Sequence, residues 1–159
     1  MVKINDELKQ ILDEPDTLKV LAVNNREGVP HVVFKGTLHA EDNQFVFYDL
    51  LQSSEINKNL VNTIWFEKKL AINILSKDRR SFHIVGTPVK SVTAGKYFES
   101  VYENIQERFG RDTDLNAIWY IEPEQIQEVS FAYRQAEQRE KFPILAHLDQ
   151  ITRRDDDDE

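Results

Sequence analysis

A serine pair followed by a lysine and an asparagine, Ser53, Ser54, Lys58 and Asn59, is the part of this 159-residue chain best suited to hold an anion. The apolar alternation over residues 45–48 reads as a strand that stops just before them. Ser54 is an N-cap candidate, and Lys58 follows four residues later, so hydroxyl and ammonium share one face of the first helical turn. Free backbone N–H groups and the positive end of the helix would complete a site for a phosphate monoester. An isolated Ser-x-x-x-Lys is more often a capped surface helix with a solvated lysine, so the elements around it have to carry the argument.

Those elements are mostly strands. Residues 6–13 read as a short helix ended by Glu14-Pro15. Residues 18–23 and 29–37 read as a hairpin joined by Asn25-Arg-Glu-Gly28. After the strand at 45–48, Ile56, Leu60 and Ile64, with Val61 and Trp65 beside them, mark an amphipathic helix over 54–66. Strands are predicted at 70–75 and 81–92, the second containing Gly86 and Pro88; because proline donates no ladder hydrogen bond, that strand must bend, bulge or pass an edge at Pro88. The spacing of Tyr97, Phe98, Val101, Tyr102, Ile105 and Phe109 predicts a helix over 96–109 that Gly110 terminates. Strands at 117–121 and 125–129 follow, then a polar, helix-permissive stretch at 132–141 and an apolar patch at 142–149. Short hairpin-linked strands with two amphipathic helices predict a mainly β protein. The expected form is a small antiparallel barrel with helices outside it.

Composition narrows the function classes. The length suits one domain over residues 1–150, enough to bury about two thirds of the unfolded surface without a disulfide or metal. There is no cysteine, which excludes a thiolate nucleophile, a Cys-ligated zinc and an iron–sulfur cluster. Formal net charge is −8; residues 153–159 carry two basic and five acidic side chains, −3 of that total, leaving −5 for the rest. An acidic body argues against nucleic acid, whose binding begins with phosphate neutralisation. Residues 151–159 are expected to be a disordered acidic tail. Without a signal core or a membrane-length apolar run, the expectation is a cytoplasmic protein.

The order of these segments resembles the FMN-binding split-barrel proteins related to pyridoxamine 5′-phosphate oxidase. The resemblance runs from about residue 18 to residue 130 and more weakly through 141–149. It is carried by Leu18-Lys-Val-Leu-Ala-Val with Gly28-Val-Pro-His-Val-Val-Phe-Lys35, by Ser53-Ser54 through Lys58-Asn59-Leu60, by Phe82-His-Ile-Val-Gly-Thr-Pro-Val89 and by Ala117-Ile-Trp-Tyr-Ile-Glu-Pro123. It implies an antiparallel split barrel of Greek-key type and a homodimer with FMN at the subunit interface. It implies that Val32, Val33, Phe34 and Lys35 line the flavin ring, and that Tyr48, Asp49 and Leu50 offer main-chain groups to the ring's pyrimidine edge. Ser53, Ser54, Lys58 and Asn59 would grip the phosphate, and Trp119 would lie near the partner's flavin.

Two departures stand out. Many relatives carry a basic pair two to three residues after the equivalent of Ser54, where this chain has Ile56 and Asn57. The late Arg-x-His substrate motif of the pyridoxamine-phosphate oxidases has no counterpart, since His147-Leu-Asp149 does not match it. The resemblance therefore implies an FMN-dependent oxidoreductase with another substrate, or a non-catalytic flavin-binding or flavin-free sensor, carrier or interaction module on the same fold. Lys35 would stabilise the anionic reduced ring. No acid–base pair can be named. His31 and His83 read as structural, Asp49 reads equally as a turn residue, and both Trp119 and Trp65 read as core or interface aromatics.

Overall fold

A computed structural model describes residues 2–51 and 55–143. The elements run α1 (Asp6–Asp13), β1 (Leu18–Asn24), β2 (Pro30–Phe34), β3 (His39–Glu41), β4 (Gln44–Asp49), α2 (Glu55–Trp65), β5 (Leu70–Leu75), β6 (Ser81–Val92), α3 (Lys96–Phe109), β7 (Ala117–Glu128) and α4 (Phe131–Lys141). The strands form one antiparallel sheet of seven in the order β2-β1-β5-β6-β7-β4-β3. Among the described residues the protein is thus mainly β with four flanking helices, as expected from the sequence.

Local chemistry explains the first elements. The Asn5 side chain accepts from the Leu8 amide at 2.8 Å and caps α1, whose Leu8, Ile11 and Leu12 are buried. Between β1 and β2 the Asn25 side chain accepts from the Glu27 and Val29 amides, each at 2.9 Å, and Gly28 adopts φ +83°, a conformation only glycine takes freely.

The sheet curls around one core. Leu21, Phe45, Phe47, Ile72, Ile84, Trp119 and Ile121 form a single buried cluster, and Val33 from β2 and Ala40 from β3 pack against it. All seven strands therefore reach the same interior, although β2 and β3 stand at opposite ends of the ladder order. α3 covers the outside, burying Val101 and Ile105 against Val46, Leu115, Ile118 and Tyr120 in a second cluster.

Three features differ from the sequence reading. β7 is one strand rather than two, because Pro123 lies opposite Gly86 at a register shift, where the ladder is already interrupted. β3, only three residues long, pairs with β4 and was not foreseen. In α2, Ile56 and Leu60 are buried and Ile64 packs against the core, but Val61 and Trp65 face outward, Trp65 at 79 % exposure. The helix cap expected at Ser54, the tail at 151–159 and His147 lie outside the described residues. No described helix is long and apolar enough to cross a membrane.

Candidate functional site

The β2–β3 turn folds against the end of β4 and brings two of the predicted segments together. The Leu38 amide donates to the Lys35 carbonyl at 3.1 Å, which closes the turn. The Thr37 hydroxyl donates to the Tyr48 carbonyl and accepts from the Tyr48 amide, both at 3.0 Å, which fastens that turn to β4. Lys35 then lies 3.5 Å from Asp49 Oδ1, with its ammonium 5.3 Å from the centroid of the Phe47 ring.

Asp49 is 1 % exposed and is more than a turn residue. Its Oδ2 accepts from Asn116 Nδ2 at 3.2 Å, and its backbone carbonyl accepts from the Asn116 amide at 2.8 Å. Lys35 and Asn116 together compensate a carboxylate that could not otherwise be buried. Neither the sequence spacing nor the alternation of β2 signalled Asn116, which lies 67 residues from Asp49.

Beside this pair opens a cleft of about 650 Å³ lined by Phe34, Lys35, Tyr48, Asp49 and Leu50, with Phe109 across it at the end of α3. Five residues expected to meet a flavin ring thus share one depression, and the size lies within the range usual for small-molecule sites, about 300–1,000 Å³. Asp112, Thr113 and Asp114, on the loop after α3, complete the wall. The sequence marked that loop only as a helix stop at Gly110.

The remaining predicted residues separate. Val32 faces outward from β2, as the cleft-lining Phe34 does, but does not line the cleft, and Val33 turns to the core. On α2, Lys58 is exposed and Asn59 is buried, so the two point in different directions. Among the described residues, the buried Asn59 Nδ2 has no hydrogen-bond partner. Glu55 puts an acidic group in the same first turn as Lys58. Trp119 is 1 % exposed within the core, and its indole N–H donates to Asn57 Oδ1 at 3.0 Å, so it braces α2 against β7 rather than presenting a ring at the surface. Ser53 and Ser54 lie outside the described residues.

A polar network that the sequence did not suggest adjoins the cleft. His39 places Nδ1 2.8 Å from the Thr37 carbonyl and Nε2 2.9 Å from Glu41 Oε1, so both ring nitrogens face acceptors. The Tyr97 hydroxyl donates to the same Glu41 oxygen at 3.0 Å. Burial, reinforced by the Glu41 charge, pushes the Tyr48 phenol above its ordinary pKa. Tyr97 is pushed further the same way by burial and by its hydrogen bonds to Tyr120 and Glu41, so both phenols stay protonated in neutral solution. His31 and His83 take no part in this network; the ring of His83 contacts Asn73 on the neighbouring strand at 2.8 Å.

The sequence matches no protein-family model and no curated protein. Its structure is similar to that of HupZ from Group A Streptococcus, at TM-score 0.64 and 22 % identity, over 80 % of this chain and 95 % of that one. An FMN-binding protein of Syntrophomonas wolfei is similar at TM-score 0.59 and 12 % identity, over 77 % and 84 % of the two chains. HutZ, a haem storage protein of Vibrio cholerae, is similar at TM-score 0.55 and 17 % identity, over 80 % and 95 %. Identities this low establish the fold alone. Candidate pyridoxamine 5′-phosphate oxidases superpose in the same way, at TM-score 0.57. The curled seven-stranded sheet, its flanking helices and these superpositions together give the chain the split-barrel fold of the pyridoxamine 5′-phosphate oxidase-like proteins.

Proposed function

We propose that the cleft between β2 and the end of β4 receives the ring of FMN, and that the protein is a flavin-dependent oxidoreductase acting as a homodimer. The observation that carries this reading is the convergence of Phe34, Lys35, Tyr48, Asp49 and Leu50 on one cleft from two separate segments of the chain. The residues present fit a flavin ring: Phe34, Leu50 and Phe109 offer flat or apolar walls, and Lys35 is a cation fixed in place by Asp49. The phosphate end is more sparsely equipped. Lys58 would hold it together with the start of α2, where Glu55 opposes an anion.

Bound FMN supplies hydride or electron transfer, and the protein supplies position and electrostatics. Lys35 holds positive charge at the cleft wall, while Asn116 keeps the Asp49 carboxylate turned inward. Leu50, Phe109 and Phe34 give the same cleft its apolar surface. Absorption of the purified protein after incubation with FMN and gel filtration tests the binding. A retained flavin band that NADH or NADPH bleaches is the expected result, and a flavin band that no donor bleaches would make the protein a carrier or sensor instead.

The likeness to HutZ supports a second reading, a haem-binding module, which the same spectrum separates from the first. A Soret band after incubation with haemin, and no retained flavin, would favour it.

A further inference from the structure

A second cleft, about 770 Å³, adjoins the first and shares Gly36, Thr37, Tyr48, Leu50 and Phe109 with it. Its distinguishing residues are Lys19 on β1, Arg108 in the last turn of α3, and Asp13 and Glu14 at the end of α1. Lys19 is half-buried, and its ammonium donates to the carbonyl oxygens of Leu38 at 2.7 Å and Leu12 at 3.2 Å. An ammonium has three N–H donors, so one remains for a ligand. Among the described residues Lys19 forms no ion pair, and neither does Arg108.

A half-buried cation without a counter-ion is unusual, because desolvation is ordinarily offset by a carboxylate at ion-pair distance. Burial holds the Lys19 pKa below the ordinary lysine value; Asp13 opposes that and Arg108 adds to it. Asp13 and Arg108, which both line the cleft, thus act on Lys19 in opposite directions, Asp13 the more strongly. Asp13 and Glu14 are exposed, where water screens them more strongly than it screens Lys19. His39 faces the cleft as well, but both its ring nitrogens are occupied by Thr37 and Glu41. The lining is mixed: Leu50 and Phe109 offer apolar surface, and Thr17, Thr37 and Tyr48 are polar.

We infer that this cleft binds a small, flat organic anion, its carboxylate between Lys19 and Arg108 and its apolar body against Leu50 and Phe109, which places it beside the first cleft. Calling that anion the substrate rests on the flavin reading; the binding itself does not. A carboxylate supplies the charge that Lys19 and Arg108 lack, and it reaches the guanidinium with two oxygens in the fork geometry that arginine favours. Leu50 and Phe109 belong to both clefts, so the body of the ligand touches the wall where the ring of a flavin would end.

The test is a titration of the full-length protein, free of FMN, with benzoate and with its uncharged isostere benzamide, followed through backbone amide shifts in a heteronuclear NMR spectrum. Benzoate is expected to shift Gly36, Thr37, His39 and Arg108 with a dissociation constant of about 1 mM, reasonable for a fragment of this size. Benzamide is expected to leave them unmoved. Arg108→Gln, a change at an exposed side chain, should weaken benzoate about tenfold, the loss of one charge-assisted contact. Asp13→Asn, which removes a competing carboxylate, should tighten it. Absence of shifts up to about 10 mM, equal shifts with benzamide, or an unchanged constant in Arg108→Gln would each overturn the proposal. FMN uptake is scored separately by absorption. A protein that binds benzoate and not FMN keeps this site and loses the flavin reading, whereas one that binds FMN and not benzoate loses this site alone.

Discussion

Lys35 and Asp49 act as one unit, and that changes what a substitution at either should do. Lys35→Met keeps most of the stem but leaves the buried Asp49 carboxylate with Asn116 as its remaining polar partner among the described residues, so the protein should lose about 3 kcal/mol of stability in denaturant unfolding. Adding Asp49→Asn removes the stranded charge and should restore most of that loss. The same pair of variants reads out on bound flavin. With Lys35 gone, a negative charge stands alone at the cleft wall, and the reduction potential should fall by about 20 mV for each kcal/mol of lost differential interaction. In the double variant it should return towards the starting value. A potential that ignores both changes would mean that the pair supports the fold and nothing more. At the other end of the proposed cofactor, Lys58→Ala should weaken FMN about tenfold and riboflavin hardly at all, since only FMN carries the phosphate. Equal weakening of the two ligands in calorimetry would remove Lys58 from the phosphate site.

Among the elements, β6 and β7 set the curvature on which the site depends. Register shifts fall between Val85 and Gly86 and between Pro88 and Lys90, and the long strand bends there. A Cβ on Gly86 would stand 2.8 Å from Ile121 Cγ2 and 2.9 Å from the Glu122 carbonyl oxygen, closer than real contacts allow. The second neighbour is backbone and cannot swing aside. Gly86→Ala should therefore cost about 2–3 kcal/mol, read as a lowered midpoint in thermal or denaturant unfolding. A variant as stable as the parent would show that β7 shifts freely at this point. The close approach also explains why proline is tolerated at both Pro88 and Pro123, since each sits at or beside an interrupted stretch of ladder.

At the scale of the whole molecule, several large apolar side chains among the described residues lie exposed. Phe34 is 72 % exposed on the edge strand β2, and Trp65 and Phe66 stand out from the end of α2. Large exposed apolar groups of this kind mark interfaces, and a two-fold pair would cover each twice. The protein is expected to behave as a dimer in light scattering at micromolar concentration. Phe34→Glu should shift it towards monomer and weaken FMN at the same time, because the same side chain lines the cleft. A monomeric parent protein would overturn the dimer, and a dimeric Phe34→Glu would move the interface elsewhere.

The periodicity of the sequence was sufficient for most of the elements, β3 and the continuity of β7 excepted. Alternation and turn chemistry marked β1, β2, β4, β5 and β6, helical spacing marked α1, α2 and α3, and Gly86 with Pro88 marked the bend, because each of these depends on residues close together in the chain. Residues 32–35 and 48–50 were singled out by the family resemblance and not by periodicity, and Phe34, Lys35, Tyr48, Asp49 and Leu50 of them line one cleft. What the sequence could not supply was every relation between distant residues. Asn116 as the partner of Asp49, Phe109 as the far wall of the cleft and the short strand β3 arise only when the sheet curls and α3 lies across it. Side-chain direction on α2 was decided in the same way: packing of that helix against the barrel turned Asn59 inward, left Lys58 outside and drew Trp119 to Asn57. Local pattern fixes which face of an element is apolar, but which polar residue lies opposite a buried charge depends on loop closure across tens of residues, and only the folded chain determines that.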